Sequence, residues 1–211
     1  MHAFRRDILL KICLFLCFLI VLYDETGLLM TNKAFKTTDL AYIAVGTVLI
    51  AVCSWVSVPA EIPFTLQTLA VFCALNLIGG LRGTISIAVY LLLGAVGVPV
   101  FSNFTGGVGV LFGATGGYLI GFLLIGLIFF LFEVIFKGRL VFRIISMLSG
   151  LLICYAFGTV FFTFVYMQSA EPIAFSTALT LCVLPFIIPD IIKMALAILL
   201  TERLSKILKL R

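Results

Sequence analysis

The sequence predicts an all-α integral membrane protein, with six core transmembrane helices preceded by a short N-terminal apolar segment. Three observations carry this expectation. The 211 residues are 64% hydrophobic and 11% charged, whereas a soluble domain is about half apolar and a quarter charged. Too little polar surface exists to cover a soluble core. The apolar residues also fall into six runs, roughly 39–57, 64–80, 84–99, 116–136, 140–167 and 176–200, each near the ~20 residues that cross the hydrocarbon as a helix. Finally, the runs are apolar all round, without the period-two alternation of a membrane β-barrel. The junctions are too short for a soluble domain.

The charges orient the spans. Lys33 and Lys36 precede the first span, and Glu61 lies between the first and second. Arg82 follows the second, and no charge separates the third from the fourth. Lys137, Arg139 and Arg143 flank the fourth–fifth junction, and Glu171 lies between the fifth and sixth. Arg203, Lys206, Lys209 and Arg211 follow the last. Basic junctions alternate with base-free ones, as the positive-inside rule requires. Both ends of the core are therefore expected in the cytoplasm, and the junctions at Glu61, 101–118 and Glu171 outside. The net charge of +5 follows from this loop bias, so no nucleic-acid partner is expected. Glu133, near the cytoplasmic end of the fourth span, is expected to pair with a loop cation.

Three segments result: an N-terminal extension over 1–36, a six-helix membrane domain over 37–204 and a basic cytoplasmic tail over 205–211. The extension holds "ILLKICLFLCFLIVLY" (8–23), apolar but short, between Arg5–Arg6 and Asp24–Glu25. A signal peptide would need a small-residue cleavage site, which does not follow. A seventh span would invert the core. A peripheral helix, or an upstream extension ahead of Met30, is the preferred reading.

The polar inventory excludes several chemistries. Cys13, Cys17, Cys53, Cys73, Cys154 and Cys182 sit in apolar runs without a CxxC, so they read as small buried hydrophobes and not a disulfide framework. His2 is the single histidine and is terminal, so no His-based metal site or triad is expected. No GxxxxGK[ST] occurs, so the chain itself should not hydrolyse ATP by a P-loop. No catalytic residue, metal or cofactor is expected.

Two features stand out. "LPFIIPDIIKMALAILL" (184–200) buries Asp190 and Lys193, three apart and so on one helical face. A lone charge at mid-bilayer costs about 2.5–3.5 kcal/mol on insertion scales, and a buried pair rarely offsets its own desolvation. A ligand contact therefore explains the pair better than helix packing does. Pro189 frees a carbonyl one turn upstream, which is tolerated against protein or a wet cavity. The second feature is "FSNFTGGVGVLFGATGGY" (101–118), with six glycines in eighteen residues. It reads as a lid over an external cavity, or as a plain flexible connector.

"IPFTLQTLAVF" (62–72), "GLRGTISIAVYLLLGAVGVPVFSNFTGGVGVLFGATGGYLIGF" (80–122) and "VLPFIIPDIIKMALAILLTERL" (183–204) resemble the BioY family, the biotin-specific S-components of energy-coupling-factor (ECF) transporters. The resemblance covers about residues 37–204. It implies the S-component fold in the plasma membrane of a prokaryote. It also implies a high-affinity biotin-binding subunit that captures biotin from outside and delivers it inward. The partners would be a transmembrane coupling protein and two ATPase subunits, which hydrolyse the ATP. Biotin offers a ureido ring, an apolar thioether ring and chain, and a carboxylate. Asp190, Asn103 and Gln67 are candidate partners of the ureido ring, and Lys193 of the carboxylate. Trp55, Tyr90 and Tyr118 would face the apolar parts, with Gly107 and Gly117 giving the loop its close approach. A slim face at Ala41, Ala44 and Ala51 would contact the coupling protein, although the AxxxA pattern is imperfect at Val48. Ala114 stands where many relatives have proline. The alternatives are an S-component for another small carboxylated vitamin, an intramembrane enzyme, or a channel or structural protein. One acid–amine pair offers an enzyme no obvious reaction, and a channel would spread polar positions over several helices.

Overall fold

A computed structural model of the chain describes residues 36–58, 64–137, 139–167 and 175–207. The elements run α1 (Thr37–Trp55), β1 (Ser57–Val58), β2 (Phe64–Thr65), α2 (Gln67–Ile78), α3 (Gly80–Val96), a 3-10 turn (Ser102–Phe104), α4 (Val108–Leu111), α5 (Gly116–Phe136), α6 (Leu140–Tyr166), α7 (Phe175–Cys182) and α8 (Leu184–Ile207). The segment 8–23, Met30, Lys33, Glu61, Glu171, Lys209, Arg211, Cys13 and Cys17 lie outside the described residues. The chain divides after Thr38, and residues 39–211 form one compact unit.

Among the described residues, four stretches are long and apolar enough to cross a membrane: α1, α5, α6 and the α7–α8 stretch Thr177–Ile207. The other two apolar helices are shorter. At about 1.5 Å per residue, the 12 residues of α2 reach only ~18 Å, against a hydrocarbon thickness of ~30 Å. The expected second span, 64–80, is therefore not one helix. Its first two residues form β2, antiparallel to β1 with Ser57 opposite Thr65 and Val58 opposite Phe64. Its end breaks at Gly79, whose φ of +92° is open to glycine and strained for other residues. The sixth span is also interrupted, between Cys182 and Leu184. Pro185 falls in the first turn of α8, where no helical N–H is lost, while Pro189 lies inside the helix.

The tightest packing is between α5 and α6, with α2 against α8 and α3 against α5. The first helix sits on α3 through polar contacts. Thr47 Oγ1 donates to Ile43 O (2.9 Å) and lies 3.1 Å from Ser86 O, and Ser86 Oγ donates to Ile43 O at 3.1 Å. A Cβ at Gly46 would lie 2.7 Å from Ser86 Oγ, so α1 and α3 approach closely. This fixes which face of α1 points inward: Ile43, Gly46, Thr47, Ile50, Ala51 and Ser54 are buried. The expected partner face therefore divides. Ala41 and Ala44 are exposed, beside Val45, Val48 and Val52, whereas Ala51 belongs to the packed side.

The end of the bundle that carries Arg82 is tied by charge. Arg82 Nη2 lies 2.8 Å from Asp39 Oδ1, joining α3 to α1, and its guanidinium stands over the Tyr42 ring. Glu133 takes a different partner from the one expected. Its carboxylate accepts the backbone N–H of Gly80 and so caps α3, because the first turn of a helix carries free N–H groups and a partial positive charge. Arg143, expected to flank the fourth–fifth junction, is 5% exposed in the first turn of α6 and donates to Asn76 Oδ1 of α2 at 3.2 Å.

Candidate binding site

At the opposite end from Arg82, one cavity is enclosed by α2, α5, α6, α7 and α8, with the loop carrying Ser102 and α4 contributing to its wall. Asp190 and Lys193 lie on the inner stripe of α8 with Met194 and Ala197, while Ile191, Ile192, Leu196 and Leu199 are exposed on the other side. The helix thus turns an apolar face outward, as lipid requires, and its two charges into the cavity.

The charges are held tightly. Lys193 Nζ donates to Asp190 Oδ1 at 2.9 Å and stands 4.1 Å from the centroid of the Phe64 ring, a cation–π contact. Phe64 stacks in turn on Phe186 at 5.9 Å. Asp190 Oδ2 accepts the Tyr155 hydroxyl at 2.6 Å. Asp190 and Lys193 are 3% and 5% exposed, and each has its opposite charge and a further polar or aromatic contact. Next to them the first turn of α2 presents Gln67 and Thr68, with Thr65 just before it. Gln67 N donates to Thr65 Oγ1 at 3.3 Å, and Gln67 Nε2 donates to the Tyr90 hydroxyl at 3.0 Å. The remaining wall is mostly apolar, with Val110, Leu119, Phe122, Leu151, Cys154 and Cys182, beside the hydroxyl residues Ser102 and Thr115. Tyr118 joins it, its hydroxyl 3.0 Å from Thr159 Oγ1. Charge at one pole and apolar surface around the rest suit a small amphiphilic ligand.

The structure brings four of the nine expected ligand residues onto this cavity: Asp190, Lys193, Gln67 and Tyr118. The other five lie elsewhere. Tyr90 is fully buried behind Gln67. Trp55 is 38% exposed, donates to Pro99 O at 2.9 Å and stacks on Phe104 at 5.0 Å. Asn103 is exposed and accepts the Ser57 hydroxyl at 3.0 Å, while its neighbour Ser102 lines the cavity. Gly107, at φ +99°, starts α4 and donates its N–H to Gly94 O at 2.7 Å. Gly117 belongs to helix packing, since a Cβ there would lie 2.5 Å from Phe161 Cβ. Tyr155 was not anticipated, because a tyrosine in an apolar helix carries no signal of what it faces. Thr65 and Thr68 could have been found: they bracket Gln67 in "TLQT", and all three line the cavity, Thr65 from the end of β2 and the others from the first turn of α2.

The four described cysteines, Cys53, Cys73, Cys154 and Cys182, are free thiols. Among the described residues no group of three His, Cys, Asp or Glu could hold a metal.

The BioY family model matches residues 30–210. The chain belongs to the BioY family. It is 40% identical over 162 residues to "Biotin transporter BioY" of Thermotoga maritima, covering 76% of this chain and 92% of that protein. It is 38% identical over 171 residues to "Probable biotin transporter BioY" of Pyrococcus horikoshii, covering 81% and 98%. Among solved structures it resembles the S-component for biotin from an ECF-type ABC transporter, with a TM-score of 0.72 and 28% identity over 82% of this chain and 95% of that one. The all-helical S-component fold and the BioY membership expected from sequence are thus both found, and the chain is a multi-pass membrane protein.

Proposed function

We propose that the chain is the biotin-binding subunit of a biotin uptake transporter. It would capture biotin on the outer side and pass it inward with an ECF coupling protein and two ATPase subunits, which hydrolyse the ATP. One observation carries the reading: a BioY-family bundle holds a buried Asp190–Lys193–Tyr155 network facing a cavity that is otherwise mostly apolar. Biotin matches both parts. Its thioether ring and chain fit the apolar wall, and its carboxylate or ureido group finds Lys193 and the polar pole. A binding component that leaves chemistry to its partners needs no nucleophile and no metal.

Purified chain is expected to retain radiolabelled biotin, displaced by unlabelled biotin and not by an unrelated vitamin carboxylate. No retention, or equal displacement by both, refutes the proposal.

The proposed site is a prokaryotic plasma membrane, with the cavity opening outward and both ends of the core in the cytoplasm. On a cysteine-free background, Asn103→Cys is expected to react with an impermeant thiol reagent added to whole cells, and Arg82→Cys and Lys206→Cys are not. The support is the concentration of basic residues at the Arg82 end. The opposite labelling pattern inverts the orientation.

A further inference from the structure

Helices α5 and α6 pack closely through glycines. At Gly117 and Gly150 the missing Cβ makes room for Phe161 and Ile125, neither of which lines the cavity. Gly158, buried in α6, makes room for a residue that does. A Cβ there would lie 2.3 Å from both Cδ1 and Cε1 of Tyr118 and 2.7 Å from its Cγ, so the ring rests on bare α6 backbone. The next residue, Thr159, is 1% exposed, and its Oγ1 meets the Tyr118 hydroxyl at 3.0 Å. Whichever oxygen donates, the bond ties the far end of the ring to the same helix. Thr159 follows Tyr155 by four residues and so shares its face of α6, and Tyr155 holds Asp190. One turn of α6 thus supplies one tyrosine of the cavity wall and the seat of the other.

We infer that Gly158 and Thr159 are specificity-determining positions that act through Tyr118, an assignment that rests on the biotin-binding reading above. Neither lines the cavity. They are positioning residues that keep the Tyr118 ring drawn back against α6, and the place of the ring sets the width of the apolar compartment. Biotin is a stiff fused bicycle and needs that width. Desthiobiotin keeps the ureido ring, the chain and the carboxylate, but its second ring is open, so it adapts to a narrower wall. A ring held back therefore favours the wider and stiffer ligand.

The test is displacement of radiolabelled biotin from the purified full chain by unlabelled biotin or desthiobiotin, read as the ratio of the two affinities. Gly158→Ala pushes the ring toward the open space of the cavity. It is expected to lower the preference for biotin about tenfold, the scale of one methyl-sized misfit in an apolar pocket. In a Tyr118→Leu background the ring is gone, and adding Gly158→Ala is expected to leave the ratio where Tyr118→Leu alone puts it, since the positions couple through the ring. Thr159→Val keeps the shape and removes the hydroxyl. It is expected to lower the ratio roughly threefold, and Thr159→Ser to keep it. A purely structural role would lower the melting temperature and weaken both ligands alike. An unchanged ratio in Thr159→Val, or the same drop from Gly158→Ala with and without the Tyr118 ring, overturns the assignment. Thr159→Val adds no bulk, so it decides the matter even where Gly158→Ala does not fold. No displaceable biotin on the wild-type chain overturns the parent reading instead, and the two failures are separable because the wild type is measured first.

Discussion

Replacing Lys193 with alanine is expected to weaken biotin binding by about 10- to 100-fold, the worth of a charge-assisted hydrogen bond, while the protein still inserts. The loss is twofold in origin. The ligand loses its cation, and Asp190 is left buried with only the Tyr155 hydroxyl to hold its charge. Breaking one side of a buried pair typically costs about 3–5 kcal/mol of stability, so both Lys193→Ala and Asp190→Ala are expected to lower the melting temperature in detergent. Removing both charges separates the two effects. Asp190→Leu combined with Lys193→Met leaves no uncompensated charge, so stability is expected to recover while biotin binding does not. Full affinity in both single variants would return the pair to a packing role.

Gly94→Ala, near the end of α3, is expected to be strongly damaging. A Cβ at Gly94 would lie 2.0 Å from Phe101 Cζ, and 2.4 and 2.6 Å from the two Cε atoms. Phe101 is fully buried and lies against Tyr90, so its ring has no free space to enter. The same glycine accepts the N–H of Gly107 at 2.7 Å, and the residue after Phe101, Ser102, lines the cavity. Overpacking here should cost about 1–3 kcal/mol or more and weaken biotin with it. Gly109→Ala is the matched control, because its added Cβ would have nothing within 4 Å. Similar melting temperatures and affinities for the two variants would show that Phe101 does not anchor the loop.

The loop also shows where sequence reading reaches its limit. Apolar runs of 19, 21 and 27 residues announce α1, α5 and α6, because length and composition suffice once lipid is the solvent. Asp190 and Lys193 were legible for the same reason: charge inside such a run demands a partner, and the three-residue spacing supplies one. The run 64–80 misled because a short apolar stretch reads alike as strand or helix, so neither the β1–β2 pairing nor the brevity of α2 was visible. Direction was invisible too. Asn103 takes a left-handed φ of 56°, which asparagine tolerates, and its side chain meets Ser57 and not the cavity. Gly117 looked like part of a mobile loop, whereas its missing Cβ makes room for Phe161.

The closed pairing of Lys193 with Asp190 has an electrical consequence. The two formal charges sum to zero, so the empty pole carries no net charge and its position within the field across the membrane involves almost no electrical work. Loading with a carboxylated ligand changes that, because the occupied pole then carries the ligand's single negative charge. Moving one elementary charge against an opposing potential costs about 2.3 kcal/mol per 100 mV. In a cell whose interior is negative, the loaded direction is therefore the one that runs uphill, and the return of the vacant site is electrically free.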